Sequence, residues 1–455
     1  QHNENCFKIY AADFIDTETG TGLVHMAPAF GEDDYQLSQL NDIQPIFCHI
    51  TDQGTFDETF SDYTGTYFKD ADKVIIKRLK TEGRVLAHQT IEHNYPFCPR
   101  SDTPLIYKAI PSWFIAVTKI TERLQAANQK IHWVPEHLKE GRFGKWIGQA
   151  RDWAISRNRV WGTPIPLWRN TVTQNIICID SIETLRKYTN QEPTDLHRDH
   201  IDHLTFSVDG EPGEYQRITE VLDCWFESGA MPYAQQHYPF NNKETFEASF
   251  PAQFIAEGLD QTRGWFYTLN VLSVILFDQP AFKNVIVTGI VVAEDGKKMS
   301  KRLRNYTPPD ELMAKYGADA LRLYLIASNL VKGEEQRFSD EGVKETVRTA
   351  LLPWYNAFKF FKTYAEIDKW SEAQSAQPST DLDKWILSKL QTLKDRVHEN
   401  MLTYKLYLVV PALLEFIEEL TNTYIRMNRN RFWGSDQSQD KMAAYSTLYQ
   451  VLIEL

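Results

Sequence analysis

Glu294-Asp295-Gly296-Lys297-Lys298-Met299-Ser300-Lys301-Arg302 follows an apolar, β-branched run, Val285 to Val292, that Thr288-Gly289 interrupts. A run of that kind reads as a buried strand. Asp295-Gly296 is a turn signal that ends it. Four cations then fall within six residues, with one small hydroxyl among them. Lys298, Lys301 and Arg302 on a loop beside a sheet suit a polyphosphate, because positioned cations stabilise charge that spreads over phosphate oxygens during transfer. Charge alone equally describes a solvated basic turn.

Working outward, the 455 residues suggest about three domains, and 42% hydrophobic with 13% aromatic content supplies ample core. There is no apolar run long enough to span a bilayer and no signal-peptide pattern. The expectation is a cytoplasmic protein with no membrane contact. Five scattered cysteines without a CxxC pair fit a reducing compartment and give no support for zinc. A net charge of −12 argues against a generic nucleic-acid coat while leaving room for a local basic surface. The chain opens on Gln1, in a polar stretch, and ends mid-pattern at Leu455, so an internal segment of a longer product is expected, with further helices beyond.

Four other stretches carry chemistry. Thr19 to Pro28 reads as a turn, a short strand and a break, followed by Ala29-Phe30-Gly31-Glu32-Asp33-Asp34-Tyr35. The three carboxylates either line a pocket or occupy the first turn of a helix starting near Glu32. Arg157 and Arg159, within Trp153 to Pro166, read as an Arg-stapled helix end. Phe254-Ile255-Ala256-Glu257-Gly258-Leu259-Asp260-Gln261-Thr262-Arg263-Gly264-Trp265 reads as a strand end, a glycine and a helix start running on to Phe277. That is where open α/β sheets bind nucleotides. Glu257 and Asp260 can accept from an ammonium group or ribose hydroxyls, Gly258 permits close backbone approach, and Asp260 serves equally as a helix N-cap. Tyr424 to Trp433 interleaves Arg426, Arg429 and Arg431 with aromatics, as a solvated helix face or as an RNA contact. His197, His200 and His203 lie in a polar, loop-like insertion, where a metal is not expected.

Lys298-Met299-Ser300-Lys301-Arg302 resembles the Lys-Met-Ser-Lys-Ser signature of the class I aminoacyl-tRNA synthetases, with Arg302 in the final position. The Thr19 to Tyr35 string resembles the editing-pocket segment of the isoleucyl branch. Asp152-Trp153 to Pro166 and Val221 to Ala230 resemble segments shared by the isoleucine, valine and leucine synthetases, with Trp161-Gly162-Thr163-Pro164 closest to the isoleucine branch. Glu257 to Phe266 resembles the synthetase motif that binds the aminoacyl-adenylate, and the HMAPAFGEDDY and DCWFESG strings resemble the eukaryote-like isoleucyl form. Tyr95 to Tyr107 resembles the return strand from the editing insertion, and Tyr424 to Trp433 the anticodon-binding helices.

The resemblance implies an α/β fold: a partial Rossmann-type catalytic domain, a truncated α+β or β-barrel-like editing insertion, and a C-terminal all-α bundle. The implied boundaries are 1–110 for editing, 111–339 for catalysis with an insertion near 171–220, and 340–455 for a truncated anticodon-binding domain. It implies a ligase that joins L-isoleucine to tRNA(Ile) using ATP with Mg2+, acting as a monomer. It assigns Lys298 and Lys301 to catalysis. Glu257, Gly258, Asp260, Gln261, Trp265, Met299 and Ser300 go to ATP and adenylate, His25 and Asp34 to editing, and Arg426, Arg429 and Arg431 to tRNA. Editing answers a physical limit: one methylene discriminates by only ~1–3 kcal/mol, and isoleucine against valine is the type example of that limit.

The family's His-Ile-Gly-His tetrapeptide does not occur in this chain, so the chain by itself is expected not to activate isoleucine. The alternatives are a valyl or leucyl relative, a non-catalytic RNA-binding paralogue, and a small-molecule nucleotidyltransferase, which accounts for neither the editing string nor the helical end.

Overall fold

The computed structural model describes residues 3–16, 18, 21–98 and 101–455. Thr19-Gly20 of the expected first turn and Pro99-Arg100 of the expected return strand lie outside them. The chain divides into two compact units, Gln1–Ser112 and Trp113–Leu455.

The first unit holds two helices, α1 (Glu32–Leu40) and α2 (Phe68–Thr81). Helix α1 places Glu32, Asp33 and Asp34 in its first turn, where carboxylates complement the positive end of the dipole. Its β content among the described residues is isolated bridges, such as Ile50↔Phe56, Thr55↔Tyr67 and Phe97↔Pro104. The short strand expected within Thr19 to Pro28 does not form among the described residues. Leu23 and Val24 are exposed, and no neighbouring segment offers them a ladder.

The second unit is built on three parallel strands: β2 (His132–Val134), β10 (Phe282–Thr288) and β9 (Ala252–Gly258), with β10 central. Val285, Ile286 and Val287 of β10 are all buried, which is why this strand reads as a continuous apolar run rather than an alternating one. Helix α9 (Trp265–Phe277) covers one face and is buried from Phe266 through Val274. Its Phe266, Leu269, Val271 and Val274 share a core with Trp133, Phe143, Val285 and Val287, to which α3 (Thr121–Gln129) and α4 (Lys145–Gly148) contribute. Helix α7 (Cys224–Ala234) crosses α9 where Gly229 lies; a Cβ there would be 3.1 Å from Thr268 and Leu272. Helix α8 (Lys243–Ser249) leads into β9.

Short antiparallel pairs frame this sheet: β1 (Phe114–Ile115) with β3 (Trp153–Ala154), and β4 (Ser156–Arg157) with β8 (Val221–Leu222). Arg157 therefore sits on a strand, not on the helix end expected for it. Its guanidinium reaches buried Asp223 at 2.9 Å, a partner that only the β4–β8 pairing brings within range. The insertion is a separate small layer, with β5 (Leu167–Asn170) between β6 (Ile176–Cys178) and β7 (Tyr215–Arg217). These strands pack with α5 (Ile182–Thr189) and α6 (Arg198–Ile201) around Trp168, Leu185, Phe206 and Tyr215.

After β10 the chain forms β11 (Val291–Val292), which pairs in parallel with β12 (Gln336–Arg337). Helices α10 (Pro309–Tyr316) and α11 (Ala318–Ala327) begin and end where Pro308-Pro309 and Gly317 indicate. The rest is helical: α12 (Asp340–Thr346), α13 (Leu352–Ile367), α14 (Asp381–Leu402), α15 (Leu406–Glu418), α16 (Arg426–Trp433) and α17 (Gln439–Glu454). From α13 onward they share a core that runs through Ile386, Leu390, Phe416, Leu420, Tyr424, Phe432, Tyr445 and Leu448, while Val343 of α12 packs with Leu312, Ala320 and Phe338. None of the described helices is long and apolar enough to cross a membrane.

Candidate active site at the tips of two parallel strands

Strands β9 and β10 end side by side, with Glu257 opposite Val287 and Gly258 opposite Thr288. The Thr288 hydroxyl donates to the Glu257 carbonyl at 3.4 Å. The Glu257 carboxylate is exposed and has no partner among the described residues. Beyond Gly258 the chain makes one tight turn, Leu259–Arg263, and then breaks at Gly264 before α9 begins. A Cβ on Gly258 would stand 2.7 Å from Asp260 Oδ1, so glycine is what lets that carboxylate fold over the strand tip.

The capping expectation for Asp260 is overturned. The N-cap of α9 is Gly264, and the Trp265 backbone N–H just inside it donates to Gln261 Oε1 at 3.0 Å. The tight turn Leu259–Arg263 leaves Asp260 four residues before that N-cap, where it is exposed and, among the described residues, accepts from Gln261 Nε2 at 3.5 Å. Trp265 is half-buried and donates from Nε1 to the Ser228 carbonyl at 3.0 Å, joining α9 to α7. From α7, the Trp225 ring reaches to 3.1 Å of where a Cβ on Gly264 would be.

The cationic loop leaves the same pair of strands through Gly289 and β11. Ala293 and Lys297 close a tight turn over Asp295-Gly296, with Gly296 at φ +78°. Asn305 clasps the loop beyond it: its Oδ1 accepts from the Ser300 N–H at 2.9 Å, and its Nδ2 donates to the Lys298 carbonyl at 3.1 Å. Met299 packs inward against the cluster around Val291, Leu312 and Tyr324. Its role in this fold is an anchor, with Ser300 held through its backbone. Lys298, Lys301 and Arg302 are exposed, and none makes an ion pair among the described residues. Lys297 does, with Asp295 at 3.6 Å. Asn305 went unnoticed in the sequence because an isolated Asn after a basic run is an ordinary loop residue.

In the first unit, His25 borders an apolar cavity of about 770 Å³ with Phe7, Tyr10, Leu23 and Phe30. Asp34 is not part of that lining. Its Oδ2 accepts from the Ala27 N–H at 2.9 Å, which ties the start of α1 back to the segment that carries His25.

The three bundle arginines separate. Arg426 and Arg429 are exposed and unpaired among the described residues. Arg431 is engaged within the bundle: its side chain is 12% exposed and its guanidinium meets Asp383 at 2.8 Å and Asp440 at 2.8 Å. It also donates to Ser379 and Asn428. Burial alone would raise the Asp383 carboxyl, but Arg431, the Tyr424 hydroxyl and the Thr380 N–H together hold it at about 2. Of the insertion histidines, His197 bonds Asp195 and His200 stands between Asp195 and Asp199.

This arrangement defines a class. The chain belongs to the class I tRNA synthetases: a family model described as tRNA synthetases class I (I, L, M and V) matches residues 17–337. A model for the anticodon-binding domain of tRNA ligases matches residues 383–455. Within that class, the chain is 53% identical over 454 residues to the isoleucine--tRNA ligase of Chlamydia pneumoniae, covering 99% of this chain and 43% of that protein. It is likewise 53% identical over 454 residues to the isoleucine--tRNA ligase of Protochlamydia amoebophila, covering 100% and 43%. The chain thus spans less than half the length of these relatives. A Mycobacterium tuberculosis methionyl-tRNA synthetase solved with methionyl-adenylate superposes with a TM-score of 0.55 at 18% identity, over 78% of this chain and 61% of that one, a likeness of fold.

Proposed function

We propose that the full-length protein carrying this chain is an isoleucine--tRNA ligase. The observation that carries this reading is that three cations without an ion-pair partner among the described residues, Lys298, Lys301 and Arg302, and two exposed carboxylates, Glu257 and Asp260, lie on segments that leave adjacent parallel strands. In the first step the isoleucine carboxylate attacks the α-phosphorus of ATP and pyrophosphate departs. Lys298 and Lys301 neutralise the charge that builds on the phosphate oxygens. Glu257 and Asp260 accept from the substrate ammonium or ribose hydroxyls, while Gly258 and the tight turn Leu259–Arg263 fix their height above the sheet. In the second step a terminal ribose hydroxyl of tRNA(Ile) attacks the acyl carbonyl and AMP leaves. Mg2+ would be held by the ATP phosphates and would supply further neutralisation of their charge; Lys298, Lys301 and Arg302, being cationic, suit phosphate oxygens and not a metal. Exposed Arg426 and Arg429 meet the tRNA backbone, and the His25 cavity is the site at which mischarged valine is hydrolysed. The reading includes action as a monomer in the cytoplasm. The 53% identity to the chlamydial ligases supports isoleucine over its relatives.

Isoleucine-dependent ATP–pyrophosphate exchange by the full-length protein tests this. Lys298→Ala and Lys301→Ala are each expected to lower kcat by about 10²–10³, the usual cost of removing one group aimed at developing charge. Faster exchange with valine or leucine than with isoleucine assigns the chain to a sibling branch. No exchange with any amino acid leaves the RNA-binding paralogue.

A further inference from the structure

The loop Arg159–Thr163 is held from several sides, yet Trp161 at its centre is 72% exposed. Arg198 donates to the Arg159 carbonyl at 2.6 Å. The Thr163 N–H donates to Glu227 Oε1 at 3.1 Å, and the Thr163 carbonyl accepts from the Leu222 N–H at 2.7 Å. One face of the indole is backed by His197, with ring centroids 4.4 Å apart and planes 16° from parallel. His197 is in turn fixed by Asp195, which takes both its backbone N–H (2.8 Å) and its ring Nδ1 (2.6 Å). Those bonds hold the Asp195 carboxyl below its ordinary range.

Beside Val160 and Trp161 lies a cavity of about 470 Å³, bordered by Arg198, Asp199, Asp202 and His203. The carboxylates there are largely answered: Asp202 by Arg198 and Arg217, Asp199 by His200. Arg159 is exposed and has no partner for its side chain among the described residues.

A large aromatic ring on a surface ordinarily keeps its rotational freedom, and a ligand must remove it. Here the stacked histidine and the tethered backbone have already fixed the ring, so a planar group can add to the stack at little further entropic cost. We propose that Trp161, backed by His197, is a stacking platform for an unpaired nucleobase of the RNA substrate, with Arg159 on the adjoining phosphate. This rests on the ligase reading above. Base–aromatic stacking beside a lone cation is the chemistry of single-stranded nucleic-acid contacts.

Placement favours RNA over a protein partner. Glu227, which holds the loop, is on α7 two residues from Trp225, and Trp225 packs at Gly264 in the turn that carries Asp260 and Gln261. The platform is therefore bonded to the helix that flanks the proposed adenylate site. An acyl group leaves an adenylate there only onto a ribose at an RNA end, and an end entering a cleft is single-stranded.

The test measures tRNA(Ile) affinity of the full-length protein at several salt concentrations, with melting midpoint as the folding control. Trp161→Ala is expected to weaken binding about tenfold and Trp161→Phe by less than about threefold, with midpoints within about 2 °C of wild type. Arg159→Ala should flatten the log–log salt dependence by about 0.7, the share of one phosphate on a single strand. Unchanged affinity in Trp161→Ala leaves the ring to a protein partner and overturns the proposal. So does an equal loss in the Phe and Ala variants accompanied by a fall in midpoint, which would mark a purely structural ring. Wild-type protein that binds no tRNA defeats the ligase reading itself, a result distinct from either.

Discussion

Gly289 and Glu334 leave no room between them for a side chain: a Cβ on Gly289 would fall 1.6 Å from the Glu334 carbonyl oxygen. Gly289 also donates its N–H to the Leu330 carbonyl at 2.7 Å. This is the seam through which β10 passes into β11 and the cationic loop. Both contacts at the seam are backbone, so neither side can yield by changing a rotamer. Gly289→Ala is expected to cost at least about 3 kcal/mol, the upper end for overpacking. Gly141→Ala, where an added Cβ meets nothing within 4 Å, is the control. Urea midpoints of the two variants decide the matter; equal midpoints would refute the close approach.

Asn305 acts through the loop it clasps. Asn305→Ala removes the bonds to the Ser300 N–H and the Lys298 carbonyl and frees both lysines to move. We expect about a tenfold loss in kcat/KM for ATP in pyrophosphate exchange, with the melting midpoint nearly unchanged, since the loop is exposed. Asn305→Asp keeps the acceptor and should recover part of that loss. A midpoint drop comparable to that of Gly289→Ala would show a structural role instead.

The Asp383–Arg431 pair predicts an acid response. Asp383 is fully buried, and its carboxyl is held at about 2 in the fold against about 3.9 in an unfolded chain. A depressed carboxylate contributes its full stabilisation above the unfolded value and loses it as pH falls through the folded one. The bundle should therefore weaken between about pH 4 and pH 2, and Asp383→Asn should flatten that slope, leaving the share carried by Asp368, Asp440 and Glu454, whose carboxyls are also held below their ordinary range. Arg431→Ala strands a buried charge and is expected to cost about 3–5 kcal/mol near neutral pH. Arg431→Lys should recover little, because a single ammonium cannot bridge Asp383 and Asp440 as the planar fork does. Acid titration followed by far-UV circular dichroism reads all three.

Arg426 and Arg429 should behave oppositely. Neither holds the bundle together, so their alanine variants are expected to keep the wild-type midpoint within about 1 °C. Each should weaken tRNA binding and reduce its salt slope by roughly one phosphate's worth. Loss of stability without loss of affinity would reverse the roles assigned to Arg426, Arg429 and Arg431.

Local elements were legible wherever one residue's preference decided them. The buried strand through Val285, the stop at Phe277–Asp278, the start of α1 at Glu32 and the paired prolines before α10 were readable because periodicity, turn chemistry and helix dipoles act within a few residues. Arg157 was misread for the opposite reason: a strand two residues long carries no periodic signal, and its partner β8 lies more than sixty residues away. Asp260 does not cap α9 because a turn tighter than an α-helix, Leu259–Arg263, stands between it and the N-cap Gly264, which no pattern in the string reveals.

By itself the sequence established the order of the motifs, and hence the synthetase family, together with the cationic loop that follows a buried strand. Only the tertiary structure decided that Met299 anchors that loop, that Arg431 is a strut while Arg426 and Arg429 are exposed and unpaired among the described residues, and that Trp161 is exposed yet fixed. Composition and spacing record what each residue prefers within a turn or two of backbone. Whether a charge or a ring is already taken depends on atoms such as those of Asp383 and Arg431, which only folding brings to 2.8 Å.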